Sequence, residues 1–201
     1  MINEICIFDD IVSKDIQNKI ESFVYDEKLI WDDYSNITGG GGYFVNYSFP
    51  AKVLPDKRIN TEILKLIDVI TENVMSKIKE KLLKKYRIKI NKTFPHNFDL
   101  SNEYKLMHVD RDEQHVVIIY YVNDSDGDTM VYEDVDNKHL GKCGTEIEFD
   151  NFKLIKEITP KKGRVAVFNG NLWHYAKYPS KGERNVINMN VVVQNKIKTI
   201  I

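Results

Sequence analysis

The run that decides the fold is Lys105-Leu106-Met107-His108-Val109-Asp110, then His115-Val116-Val117-Ile118-Ile119-Tyr120-Tyr121-Val122, then Thr129-Met130-Val131-Tyr132. Short stretches rich in β-branched and aromatic residues, separated by polar turn clusters, read as strands. One such cluster is the acidic turn Asn123-Asp124-Ser125-Asp126-Gly127-Asp128. The spacing predicts strands over 105–109, 115–122 and 129–132.

The same pattern continues outward. Arg87 to Asn91, Arg164 to Phe168 and Asn185 to Val193 read as further strands. Asp136-Asn137-Lys138, Pro160-Lys161-Lys162-Gly163 and Pro179-Ser180-Lys181-Gly182 supply turns between them. Many short strands at this spacing suggest a sandwich or jelly roll.

The first part of the chain is different. Ser13 is a candidate N-cap for a helix over about 14–28, with Ile16, Ile20, Phe23 and Val24 on one face. A longer amphipathic helix is expected over about 56–86. Ile59, Ile63, Ile67, Ile70, Val74, Ile78 and Leu82 recur there at steps of three and four. The cations Lys77, Lys79, Lys81, Lys84, Lys85 and Arg87 then fall at its C-terminal end, where they suit the helix dipole. Nucleic-acid contact is the lesser reading of that cluster. Gly39-Gly40-Gly41-Gly42 lies between the helices, ahead of a strand from Tyr43 to Phe49. It reads as a flexible connector or as a lid beside a site, with Tyr43, Phe44 and Tyr47 at hand. Helices first and strands afterwards make an α+β, mainly β arrangement with helices packed on one sheet.

Composition bounds the classes. The chain has 201 residues, 42% hydrophobic and 29% charged, which suits one domain with a sizeable core and excludes wholesale disorder. A formal net charge of -1 does not suit coating nucleic acid through bulk charge. Cys6 and Cys143 make no disulfide framework, and a reducing compartment fits best. No segment reads as a secretory signal or a membrane span, so a cytoplasmic protein is expected.

Side chains two apart on a strand share a face, so His108 and Asp110 can present an imidazole and a carboxylate to one point. His174 follows Asp110 by 64 residues, just after another strand-like run. Two histidines and one carboxylate on one face of a metal form the facial triad of non-haem Fe(II) oxygenases. Arg184 comes ten residues after His174, and its planar fork suits a carboxylate. The charges agree. Iron(II) brings two positive charges, Asp110 one negative and a dicarboxylate two, so the single cation Arg184 balances the set.

These residues resemble the Fe(II)/2-oxoglutarate-dependent dioxygenases, in particular the prolyl 4-hydroxylase-like branch. The resemblance covers roughly Phe94 to Val193. His108-Val109-Asp110 is similar to the family's His-x-Asp, and Ile119-Tyr120-Tyr121-Val122-Asn123 to the strand after it. Gly127-Asp128-Thr129-Met130 stands where the family has Gly-Gly-x-Leu, with Asp128 and Met130 as departures. Gly163 to Phe168, then Trp173-His174, resembles the run into the distal histidine.

The resemblance implies a double-stranded β-helix (jelly roll, cupin-like) core within a single domain over 1–201. Residues 1–90 would form a helical buttress and outer strands, and 91–201 the core with the metal site. It implies Fe(II) on His108, Asp110 and His174, with these three and Arg184 as the catalytic set. It implies 2-oxoglutarate as co-substrate held at Arg184 and Tyr121, and O2 as oxidant. Met130, Asn188 and Tyr104 are further candidates around the co-substrate. Asn188 lies four residues after Arg184 and reads equally as a polar residue closing a barrel hydrogen bond.

The implied reaction hydroxylates an unactivated C–H bond and releases succinate and CO2. The substrate would be a small molecule or a peptide, for instance a prolyl or other amino-acid side chain. Trp173 should pack into a core on the face opposite His174. His115 and His139 read as structural or surface residues. Two rivals stand beside this reading: a cupin-like metal- or sugar-binding module without oxygenase activity, and a structural domain with a decayed site.

Overall fold

The computed structural model describes residues 5–26, 32–33, 44–48, 57–95, 107–135 and 151–194. The glycine run, Tyr43, Tyr104, His96, His139 and Cys143, on which expectations were placed, lie outside the described residues. The described chain is mostly β, with two antiparallel sheets and two helices. In chain order the elements are β1 (Cys6–Phe8), α1 (Lys14–Val24), β2 (Asp32–Asp33), β3 (Phe44–Ser48), α2 (Lys57–Ile78), β4 (Leu82–Thr93), β5 (Val116–Tyr121), β6 (Thr129–Asp134), β7 (Phe152–Ile158), β8 (Val165–Asn169), β9 (Trp173–Ala176) and β10 (Arg184–Val193).

Seven strands form one sheet in the order β1-β8-β5-β10-β4-β3-β2, and three form a second in the order β7-β6-β9. The chain order of neighbours is scrambled, so distant segments meet. β10 sits between β5 and β4, with Asn188 opposite both Ile119 and Lys89. β1, at the start of the chain, closes on β8.

Strand periodicity divides the large sheet into two buried faces. Val116, Ile118 and Tyr120 of β5, with Ile187, Met189 and Val191 of β10, pack against Ile20 and Val24 of α1 and Ile63, Ile67, Ile70 and Val74 of α2. The alternate residues Val117, Ile119, Tyr121, Ala166, Phe168 and Val186 face the smaller sheet and meet its Val131 and Ile158. Because both faces are covered, β5 is buried at every position. It therefore reads as a continuous apolar run with no polar alternation. Each fully buried Ile or Val adds roughly 1.5–3 kcal/mol relative to exposure.

The first helix begins at Lys14 as expected but ends at Val24, short of the expected 28, and the second is corrected further. Ser13 caps α1, its Oγ accepting from the Ile16 N–H at 3.4 Å. The second helix stops at Ile78, well short of Tyr86. Lys79 adopts φ 56°, the Lys79 N–H donates to Ser76 O, and the Glu80 N–H donates to Met75 O at 3.0 Å. This paired closure is a Schellman motif, which turns the chain out of the helix. Lys84 and Lys85 thus belong to strand β4, not to a helix end, and the strand expected from Arg87 begins five residues earlier, at Leu82. Leu82 kept the apolar rhythm because it joins the same core from β4.

Four strands went unread: β1 and β2, of three and two residues, β7, whose Lys153–Glu157 stretch is exposed throughout, and β9, which holds only four residues. The expected strand over 105–109 is represented in the described residues by a single antiparallel bridge, His108 to His174. No helix of the described residues is long and apolar enough to cross a membrane.

Candidate metal centre and carboxylate pocket

The His108–His174 bridge builds the centre from the backbone outward. The His108 N–H donates to His174 O at 3.1 Å, and the His174 N–H donates to His108 O at 2.9 Å. This pairing brings the two rings to a centroid distance of 4.8 Å. Asp110, two residues on, reaches the same point. One ligand atom from each of His108, Asp110 and His174 lies within 4.8 Å of the others. His174 Nδ1 contacts Leu172 O at 3.1 Å. That contact places the proton on Nδ1 and leaves the Nε2 lone pair facing the cluster, where Nε2 is buried without a hydrogen-bond partner. A buried imidazole nitrogen held this way beside a carboxylate fits a divalent metal.

Asp110 is the hub. Its side chain is 4% exposed, with His108 Nε2 at 3.8 Å from Oδ1 and His174 Nε2 at 3.7 Å from Oδ2. Oδ2 accepts from Asn188 Nδ2 at 3.0 Å and from Asn190 Nδ2 at 2.8 Å. Oδ1 is ion-paired with Arg87 Nη2 of β4. Burial pushes this carboxyl up. The neighbouring His174, His108 and Arg87 outweigh burial and hold it well below the usual carboxylate range.

A second polar cluster lies on the same face of β10. Arg184 is 3% exposed. Its Nε donates to Gly127 O at 2.7 Å and its Nη2 to Thr129 Oγ1 at 2.7 Å. The Tyr121 hydroxyl donates to the same Oγ1 at 2.8 Å, and the guanidinium lies 5.8 Å from the Tyr121 ring centre. A Cβ on Gly127 would fall 2.7 Å from Lys177 O and 3.0 Å from Arg184 Cδ, so only glycine admits the arginine here. Among the described residues no carboxylate lies within ion-pair distance of Arg184. Burial works against its charge, and the largest effect on Tyr121 is burial, which pushes its hydroxyl pKa up. The pocket therefore offers a fixed, dry cation with Nη1 making no hydrogen bond among the described residues.

The structure brings His108, Asp110 and His174 together and places Arg184 with Tyr121. Asn188 turns to Asp110, the hydrogen-bond reading of that residue. Met130 is a correction. It packs with Met107, Tyr132, Trp173 and Tyr175 on the far side of the small sheet. Strand parity sends Thr129 and Val131 inward, so Thr129 and not Met130 stands beside Arg184. Trp173 is buried in that outer cluster, edge-on to Phe152 at 5.3 Å, as expected for the face opposite His174. His115 is buried, its Nδ1 on Glu113 O at 2.7 Å.

Sequence reasoning missed Thr129, Asn190 and Arg87. Asn190 was legible, since Arg184, Val186, Asn188 and Asn190 alternate on one strand. Arg87 was not legible, because its meeting with Asp110 depends on the pairing of β4 with β10.

No family model matches the chain, and no curated protein matches it by sequence. Solved structures do match. A 2OG-Fe(II) oxygenase family oxidoreductase from Burkholderia pseudomallei aligns with TM-score 0.66 at 12% identity, over 96% of this chain and 86% of that one. A prolyl hydroxylase from Trichoplax adhaerens, in complex with a hypoxia inducible factor oxygen degradation domain peptide fragment, aligns with TM-score 0.62 at 13% identity, over 94% and 84%. A prolyl-4-hydroxylase from Pseudomonas putida aligns with TM-score 0.59 at 12% identity, over 94% and 92%. At these identities the likeness is one of fold: the chain shares the fold of the 2OG-Fe(II) oxygenases, prolyl hydroxylases included.

Proposed function

We propose that this chain is an Fe(II)- and 2-oxoglutarate-dependent dioxygenase, a single domain with a double-stranded β-helix core. The observation that carries the reading is Arg184: a buried guanidinium without a carboxylate among the described residues, on the same face of β10 as the amides that hold Asp110. A buried cation of this kind is stable only with an anion to meet it. A cupin-like binding module would have no use for it.

His108, Asp110 and His174 would hold the metal and Arg184 the distal carboxylate of 2-oxoglutarate. Bound there, iron and 2-oxoglutarate would supply oxidation of an unactivated C–H bond by O2, with release of succinate and CO2. The chain's own residues do the positioning. Leu172 O fixes the His174 tautomer. Asn188, Asn190 and Arg87 fix the Asp110 carboxylate. Thr129 and Tyr121 orient the Arg184 fork. Val117, Ile119, Phe168 and Val186 line the same interior and keep water from the charged groups. The substrate class open to this fold includes peptides, as the Trichoplax neighbour's bound fragment illustrates, and small molecules.

The test is anaerobic addition of Fe(II) and 2-oxoglutarate to the purified protein, followed by visible absorption. A metal-to-ligand charge-transfer band that needs both additions is expected. Its absence at saturating metal and co-substrate would overturn the oxygenase reading in favour of a metal-binding module.

A further inference from the structure

The Asp110 carboxylate is carried by a loop: residues 109–114 belong to no helix or strand. A metal ligand on a loop needs side-chain contacts to hold it within the narrow tolerance that coordination demands. One such contact is the ion pair from Arg87. A second lies beside it in both segments. The Arg111 guanidinium lies over the Tyr86 ring, its central carbon 4.4 Å from the ring centre. Two consecutive residues of β4 thus grip two consecutive residues of the loop.

A β-bulge makes the double grip possible. Asn190 stands opposite Arg87 and Val191 opposite Lys85, so β4 carries one extra residue there, Tyr86. Regular alternation sends Ile88 to the helix-side core and would send Tyr86 there too. The bulge breaks that alternation. Lys85 turns to Asp68 of α2, Arg87 turns to Asp110, and the Tyr86 ring between them reaches Arg111.

Arg111 is fixed along its edge as well as its face. Its Nε and Nη2 donate to the Glu113 carboxylate at 3.1 and 3.3 Å. The Glu113 backbone oxygen in turn meets His115 Nδ1 at 2.7 Å. The loop is therefore pinned by β4 at Asp110 and Arg111, and by the buried His115 at its far end. Lys84 Nζ also lies 4.7 Å from the Tyr86 ring centre. The attraction of a cation to such a ring comes from the π face, so the ring supplies it without the hydroxyl.

Resting on the metal site proposed above, we propose that Tyr86 is a positioning residue for that centre. Through Arg111 it holds the loop so that the Asp110 carboxylate meets His108 and His174. It acts on the ligand loop and not on the metal.

The test titrates the full metal-free chain with Co(II), followed by d–d absorption, beside thermal melts of the same proteins. Tyr86→Leu should weaken Co(II) binding by about tenfold or more, the usual effect of losing a partner that orients a ligand. Arg111→Met should do the same. The double variant should bind no worse than either single one, because both remove one contact. Tyr86→Phe keeps the ring and should bind Co(II) as the parent does. A merely structural role would lower the melting temperature without this pattern in Co(II) affinity. Parental affinity in Tyr86→Leu, a loss in Tyr86→Phe equal to that in Tyr86→Leu, or additive losses in the double variant would overturn the proposal. Should Tyr86→Leu fail to fold, Arg111→Met and Arg111→Lys decide: weaker binding in the first supports the clamp, and equal binding overturns it. No Co(II) binding by the unmodified protein would overturn the metal site itself, and the clamp with it.

Discussion

Arg184 Nη2 donates to Thr129 Oγ1 at 2.7 Å, which ties the first residue of β10 to the first residue of β6 across the two sheets. The Tyr121 hydroxyl donates to the same oxygen at 2.8 Å. One threonine thus accepts from both groups that would meet a distal carboxylate. Thr129→Val removes the acceptor and keeps the shape. Leaving buried donors unpaired costs about 1–3 kcal/mol, so apparent 2-oxoglutarate affinity should fall by roughly five- to a hundredfold. Tyr121→Phe, which deletes one donor, should do less. Equal affinity in Thr129→Val and the parent protein, measured by 2-oxoglutarate titration, would show that the hydroxyl does not orient Arg184.

Arg184 itself separates co-substrate from metal. Arg184→Gln should lower 2-oxoglutarate affinity by on the order of 30-fold or more, since removing one partner of a buried charge pair costs roughly 2–5 kcal/mol. Metal affinity, followed with Co(II) by its d–d absorption, should stay near the parent value, because the arginine is not among the three clustered residues that could hold a metal. A parallel loss of Co(II) binding would contradict this separation.

Asp110→Ala removes the carboxylate that joins both histidines, both asparagines and Arg87. Co(II) binding should be abolished at concentrations that saturate the parent protein. Asn190→Ala leaves the carboxylate but removes one of its amide donors, and losses of supporting partners of this kind weaken metal binding by about 10–100-fold. Wild-type Co(II) affinity in Asp110→Ala would remove these three residues as the metal site.

Gly170 is fixed by His115. A Cβ there would fall 2.3 Å from His115 Nε2 and Cε1. The Gly170 N–H also donates to His115 O at 2.8 Å, so the backbone cannot retreat without losing that bond. Gly170→Ala should lower stability by about 1–3 kcal/mol, the usual cost of overpacking. In a background of His115→Ala the added methyl should cost far less, as thermal melts of the four proteins would show. Additive losses in the double variant would mean that the ring does not set the constraint.

Asp9 anchors β1 to the turn before β8. Arg164 Nε donates to Oδ1 at 2.7 Å and Nη2 to Oδ2 at 3.1 Å, with Lys161 Nζ at 3.1 Å from Oδ2. The hydrogen bond from Arg164 is the largest of the effects that hold the Asp9 carboxyl at about 2, against 3.8 ordinarily. A depressed folded-state pKa stabilises above the unfolded value and is lost as pH falls through the folded one. The contribution should therefore be complete above pH 4 and fade toward pH 2. Solvent screening of this partly exposed pair limits it to about 1 kcal/mol. Asp9→Asn should be less stable than the parent at pH 7, with the gap closing toward pH 2. A gap that stays constant across that window would rule out the ion pair as its source.

Much of the site was legible because its signals are local. Period-two alternation put His108 and Asp110 on one face, and put Asn188 on the face of Arg184. The apolar density of Val116 to Tyr121 marked a strand. The stripe Ile63, Ile67, Ile70 and Val74 marked the helix that covers the sheet. Each of these follows from the geometry of one element, which the sequence carries in full.

Tertiary structure decided the rest. Whether Thr129 or Met130 faces Arg184 depends on where β6 starts relative to β9 and β7, a parity that a one-residue shift would invert. The end of α2 hangs on Lys79 taking a left-handed conformation, which propensity disfavours for lysine and which no apolar pattern announces. From that turn follows the strand β4, and from its pairing with β10 the meeting of Arg87 with Asp110. Contacts between residues far apart in sequence are set by strand order and register. Those are chosen by the burial of both faces of the sheet at once, and no single segment encodes them.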